Sequence, residues 1–130
     1  MALTDAELQH RHRRTKKGTI SNKRAYCRKN AKAKGLEFSL TTKELTNLWE
    51  EQEGCCALCG NTLGYIGTGW CAASVDRVSP HRGYVIDNVQ WVHWRCNDAK
   101  ANMTNADFIN MCAAITVKQF NLDTCLYDVG

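Results

Sequence analysis

Two short cysteine-bearing motifs set the tightest limits on how this chain can fold. Cys56-Ala57-Leu58-Cys59-Gly60 is a C-x-x-C-G turn, and His93-Trp94-Arg95-Cys96 further on is an H-x-x-C pair. The first spacing lets two thiolates face one ion, and the glycine relieves the turn that aims backbone amides at sulfur. Three sulfurs and one imidazole satisfy a tetrahedral zinc, so Cys56, Cys59, His93 and Cys96 are the expected ligands of one structural ion. A lone C-x-x-C is weak, because it also occurs in redox proteins and by chance. A second knuckle at the start of a predicted helix makes the case strong. The bland alternative packs His93 between Trp91 and Trp94 and treats Cys56 and Cys59 as core thiols. Cys55 could compete with Cys56 but lacks the spacing to Cys59, and Cys27, Cys71, Cys112 and Cys125 have no partner at ligand spacing.

The length of 130 residues allows one domain, or one small domain plus an arm. A core this modest benefits from a metal staple. Eight cysteines would suggest disulfides in a secreted chain. The polar start, Met1 to His10, has no signal-peptide h-region, and neither end carries an apolar run that could span a bilayer. The expectation is therefore a soluble cytoplasmic protein with no membrane partner, whose clustered cysteines bind metal.

Charge is sharply segregated. From Arg11 to Lys34 lie 11 of the 17 Lys and Arg residues, with no acid among them. Residues 1–34 carry a net +9 and residues 35–130 a net −5. A solvated basic tail is one reading. The sharper one is a phosphate-tracking arm, residues 1–35, in front of a domain at 36–130. Its candidate DNA contacts are Arg11, Arg13, Arg14, Lys16, Lys17, Lys23, Arg24, Arg28, Lys29, Lys32 and Lys34, with Lys100 added from the domain.

Along the chain, residues 1–18 read as polar and without order of their own. Ser21 looks like the N-cap of a helix from Asn22 to Lys34, stopped by Gly35 and too poor in apolar residues to join a core. Leu36 to Leu40 alternates like a short strand. Thr41 with Glu44 forms a capping box for a helix to about Glu53 that buries Leu45, Leu48 and Trp49. Residues 61–71 form a glycine-rich loop. Strands are expected at 73–78 and 88–92, a helix at 94–101, and a last helix from Thr104 to about Lys118.

Between the knuckles the order is Ser74-Val75-Asp76-Arg77-Val78, Gly83-Tyr84 and Asp87-Asn88-Val89-Gln90-Trp91, followed by Cys96-Asn97-Asp98-Ala99-Lys100. This V-D-R, G-Y, N-V, C-N-x-x-K series resembles the HNH, or ββα-metal, endonucleases. The likeness is to the branch in which D-R replaces D-H, as in phage-encoded HNH enzymes and a rare-cutting HNH restriction enzyme. It spans residues 55–101, with a looser likeness toward residue 20. It implies a small α+β fold: a zinc-stapled ββα-metal (His-Me finger) domain with flanking helices.

The resemblance also implies a chemistry. Phosphodiester hydrolysis needs a cation beside the phosphate oxygens and an in-line water. Asp76 would supply the hard anionic oxygen that magnesium or manganese prefers, and Asn97 a neutral second ligand. Asn88 corresponds to the middle N of the family, whose side chain ties the hairpin loop to its own backbone. Arg77 stands where the commoner pattern has the water-activating histidine. Arginine stays protonated, so it could clamp the scissile phosphate but not act as base. Two candidates remain for the base: His81, whose chemistry suits it, and Tyr84, which belongs to the motif and could instead orient water.

The expected function is thus metal-dependent cleavage of double-stranded DNA in a bacterial or phage-infected cell, in a restriction, homing or phage role, leaving 5′-phosphate and 3′-hydroxyl ends. The alternative is a non-catalytic zinc module that binds nucleic acid. A ribosomal or RNA-binding zinc ribbon fits less well, because the sequence offers no evident aromatic stacking platform. One active site suffices for a nick, and a double-strand cut would take a homodimer. The last helix, with Phe108, Ile109, Met111, Ile115 and Phe120, could supply that interface or serve as core.

Overall fold

A computed structural model of the chain describes residues 2–122. Cys125 and the side chain of Arg13 lie outside what it describes. Among the described residues, five α-helices and a two-stranded antiparallel sheet succeed one another as α1 (Asp5–Arg13), α2 (Lys16–Lys34), α3 (Thr42–Glu51), β1 (Ala73–Arg77), β2 (Val89–His93), α4 (Trp94–Lys100) and α5 (Asn105–Gln119). The molecule is a small α+β fold. Among the described residues no helix is long and apolar enough to cross a membrane.

The sheet sorts its side chains by the two-residue period of a strand. Register pairs Val75 with Trp91 and Asp76 with Gln90. On one face Trp91, fully buried, donates its indole N–H to the Leu45 carbonyl and meets Trp49 edge-on at 5.1 Å. The other face turns Ser74 and Asp76 toward α4. The Gln52 side chain seals the outer edge of β2, accepting from the Trp91 amide at 2.9 Å and donating to the Trp91 carbonyl at 2.8 Å.

The N-terminal region departs from expectation. Thr4 and Glu7 form a reciprocal capping box that opens α1, and Thr15 caps α2 six residues before Ser21. Nor is α2 a detachable arm. Ile20, Cys27 and Ala31 are buried in the same cluster as Leu45, Trp49 and Trp91, so the segment expected to end at residue 35 shares one core with the domain after it. Its exposed sides carry Arg11, Arg14, Lys17, Arg28, Lys29, Lys32 and Lys34, whereas Arg24 donates to the Leu40 carbonyl and Lys16 pairs with Glu50.

Residues 36–40 make a single bridge, Phe38 to Tyr84, rather than a strand. Two hydrogen bonds clasp it, Ser39 N–H to Tyr84 O at 3.1 Å and Tyr84 N–H to Glu37 O at 2.8 Å. The clasp requires Gly83: a Cβ there would sit 2.3 Å from the Glu37 carbonyl oxygen. α5 begins at its Thr104 cap as expected, but it gives the core only Phe108, leaving Ile109, Ile115 and Phe120 more than half exposed.

Candidate metal centre and polar cavity

The two knuckles converge. Ligand atoms of Cys56, Cys59, His93 and Cys96 all lie within 4.8 Å of one another. A zinc–sulfur bond of about 2.3 Å implies tetrahedral edges of about 3.8 Å, so this spacing needs only a small contraction to close on an ion. Amides of Cys59 and His93 donate to the Cys56 sulfur at 3.4 and 3.3 Å. His93 Nε2–H donates to the Thr62 carbonyl at 2.8 Å, which turns Nδ1 and its lone pair toward Cys59, 3.2 Å away.

Electrostatics in the cluster point the same way. Burial opposes ionisation of Cys56, but the amides of Cys59, His93 and Leu58 outweigh it and the net pKa falls. Cys96 is pushed up to about 12, by burial first and then by the neighbouring sulfurs. Several thiolates cannot share so small a space without a cation between them. The Cys3His set could hold a metal and is compatible with structural zinc. Cys55 lies outside the cluster, its thiol facing the Glu53 carbonyl.

A second constellation lies where β1 ends against α4. Ser74 and Asp76, two apart on one strand face, meet Asn97 and Lys100, three apart on one helix face. Asn97 Nδ2 donates to Ser74 Oγ at 2.8 Å, and Lys100 Nζ to Asp76 Oδ2 at 2.8 Å. Gln90 also donates to Asp76 Oδ2, at 3.0 Å. Neither Asp76 Oδ1 nor Asn97 Oδ1 accepts a hydrogen bond from another described residue. Asp76 and Asn97 line one cavity of about 170 Å³ together with Arg77, Tyr84, Pro80 and, from α2, Tyr26, Asn30 and Lys34.

Asn88 ties the loop at 79–83, whose Pro80 lines the cavity, to its own backbone. Buried to 2 % exposure, it accepts from Ser79 N–H and donates to the carbonyls of Ser79 and Gly83. Arg77 Nη1 donates to the Pro80 and Arg82 carbonyls, and the guanidinium lies 5.3 Å from the centre of the Tyr84 ring. Tyr84 accepts from Asn30 Nδ2 at 2.6 Å. Its phenol pKa is raised, chiefly by burial, and the hydroxyl keeps a proton to donate. His81 is exposed and is not among the cavity-lining residues.

Lys100 requires a correction. At 1 % exposure, with its ammonium on Asp76 and the carbonyls of Arg77 and Val78, it cannot reach a phosphate. Sequence reasoning also missed α2 as a wall of the cavity. Tyr26, Asn30 and Lys34 recur every four residues, a row on one face of α2 beside its buried side.

No family model matches this sequence, and no solved structure matches it. The chain is similar to an uncharacterized protein of Acanthamoeba polyphaga mimivirus, 33% identical over 86 residues. The aligned stretch is 63% of this chain and 14% of that protein, so the chain spans about a seventh of its relative's length.

Proposed function

We propose that this chain is a divalent-metal-dependent DNA endonuclease of the HNH, ββα-metal type, with a zinc ion stapling its hairpin to α4. The observation that carries the reading is one cavity lined by both Asp76 and Asn97, each with an oxygen that accepts nothing from the described residues. A carboxylate and an amide oxygen suit a hard cation such as magnesium or manganese, which keeps several waters. Bound there, the cation would supply positive charge beside the phosphate oxygens.

The chain's own residues have distinct tasks. The β1–α4 hydrogen bonds hold Asp76 and Asn97 in register. Arg77, fixed by the loop carbonyls through Nη1, offers its remaining N–H groups to a phosphate. The Tyr84 hydroxyl, accepting from Asn30, orients a water or a phosphate oxygen by donation. Lys34 and the exposed bases of α2 draw the polyanion to the cavity.

One observation favours the second reading, a non-catalytic zinc module that binds nucleic acid: the Lys100 ammonium already neutralises Asp76. Plasmid incubated with pure protein and magnesium or manganese separates the two. The nuclease reading expects nicking by wild type and none by Asp76→Ala, with DNA affinity retained in the variant. Binding without cleavage on duplex, branched and single-stranded DNA would sink it.

A further inference from the structure

The glycine-rich loop and the zinc knuckle assemble a surface that neither motif announces. Trp70 sits on a 3-10 turn, Gly69–Cys71, and Trp94 opens α4. Their rings lie 5.3 Å apart, tilted by 48°, and remain 57% and 45% exposed. The Arg95 guanidinium lies 4.9 Å from the centre of the Trp70 ring. The loop beneath is held in place: Trp94 N–H donates to Ala72 O at 2.7 Å, and Gly64 N–H to Cys71 O at 2.7 Å. A Cβ added at Gly67 of the same loop would meet Arg14 Nε at 3.2 Å.

We propose that Trp70, Trp94 and Arg95 form a stacking site for an unpaired nucleobase of the DNA strand entering the Asp76–Asn97 cavity; this rests on the nuclease reading. Large π-faces with a guanidinium alongside are what a base recognises, whatever its identity. Charge favours a nucleic acid: the guanidinium lies beside the rings, and residues 1–34 add a net +9 that draws a polyanion. Position links the site to the cavity: Trp94 precedes Asn97 by three residues on α4, a separation that brings side chains onto one helix face about 5–6 Å apart at Cβ. A base on the tryptophans would thus belong to the same strand as the phosphate in the cavity. Stacking there would favour substrates with a base already out of the helix.

The test is binding without magnesium, so that cleavage plays no part. A short single-stranded oligodeoxynucleotide and the blunt duplex of the same sequence are titrated while tryptophan fluorescence and oligonucleotide anisotropy are followed. The expected result is quenching by the single strand. Trp70→Ala should weaken single-strand affinity about 5- to 150-fold, the range for one stacked base, with smaller effect on the duplex and recovery in Trp70→Phe. Trp94→Ala should do the same if it keeps its zinc; if it does not, Trp70→Ala, made outside both knuckles and checked for the same metal content, decides. Unchanged single-strand affinity in Trp70→Ala, or binding without quenching, overturns the proposal. So does self-association of the wild type that Trp70→Ala abolishes. A protein that nicks plasmid but fails here loses only the stacking site; one that stacks but never nicks loses only the nuclease reading.

Discussion

Replacing Lys100 by methionine is the most revealing single change. The Asp76 carboxylate is only 6 % exposed, and its Oδ2 holds two hydrogen bonds, from Lys100 and Gln90. Without the ammonium it keeps one neutral donor, and the Arg77 and Val78 carbonyls lose the same partner. Solvent does not screen this pair, so the surface value for an ion pair does not apply. Removing one member of a buried pair costs about 3–5 kcal/mol. Against a total stability of about 5–15 kcal/mol, that is a large share.

Equilibrium unfolding in urea, followed by the buried Trp49 and Trp91, reads this loss as a lower midpoint. Two controls give the number its meaning. Lys100→Met combined with Asp76→Asn removes both charges and should recover most of the loss. Magnesium at about a hundred times its dissociation constant should restore about 2.7 kcal/mol to Lys100→Met if Asp76 holds the cation, because only the native state binds it. A loss below about 1 kcal/mol in Lys100→Met, the value of an exposed pair, would refute the reasoning.

Other perturbations have equally definite outcomes. Tyr84 holds its proton more tightly folded than unfolded, so its contribution to stability is intact below its ordinary pKa of 10.0 and fades as pH rises through the raised folded value. Tyr84→Phe should remove that alkaline loss and leave any neutral-pH inflection in cleavage rate in place; a vanished inflection would restore the tyrosine as base. Gly83→Ala forces a methyl against the Glu37 carbonyl and should cost about 1–3 kcal/mol, with normal stability counting against the clasp. Cys59→Ser should lower bound zinc, measured by atomic emission, and lower the melting temperature, and an unchanged metal content would remove Cys59 from the ligand set. If about five bases of α1 and α2 touch phosphates, DNA affinity should fall about 10²- to 10³-fold between 50 and 200 mM salt, and a flat response would exclude them.

The parts of this fold that were legible in the sequence are those set by local chemistry. C-x-x-C and H-x-x-C each specify the spacing of two ligands within four residues, and the chemistry of a four-ligand ion pairs the two motifs although they lie far apart in sequence. Capping at Thr41 and Thr104 was equally local. What escaped was set by partners distant in sequence. The stripe Ile20, Arg24, Cys27, Ala31 has helical spacing, but two of its members are small and one is charged, so it carried little apolar signal. Placing the helix start at Ser21 discarded Ile20 from it. Lys100 was read as a phosphate ligand because a lysine is nearly always solvated; only the strand beneath α4 reveals the acceptors that bury it. The two tryptophans of the stacking surface lie on separate segments, so no window of sequence holds both.

These distant contacts give α4 three independent anchors. Its first turn would be fixed through His93 and Cys96 once the cluster holds an ion, its middle is tied through Asn97 on Ser74, and its end through Lys100 on Asp76. A metal held by the Cys/His cluster would thus act on one end of the helix and the buried ion pair on the other, with Asn97 between them. On the nuclease reading the side chain that would face Asp76 across the cavity is held from both sides, although α4 has only seven residues and could not hold its shape alone. Loss of zinc should therefore loosen Asn97 and Trp94 before it loosens Asp76, while loss of Lys100 should do the reverse. The cavity depends on both ends being held, because a carboxylate and an amide can share one cation only if strand and helix keep their register.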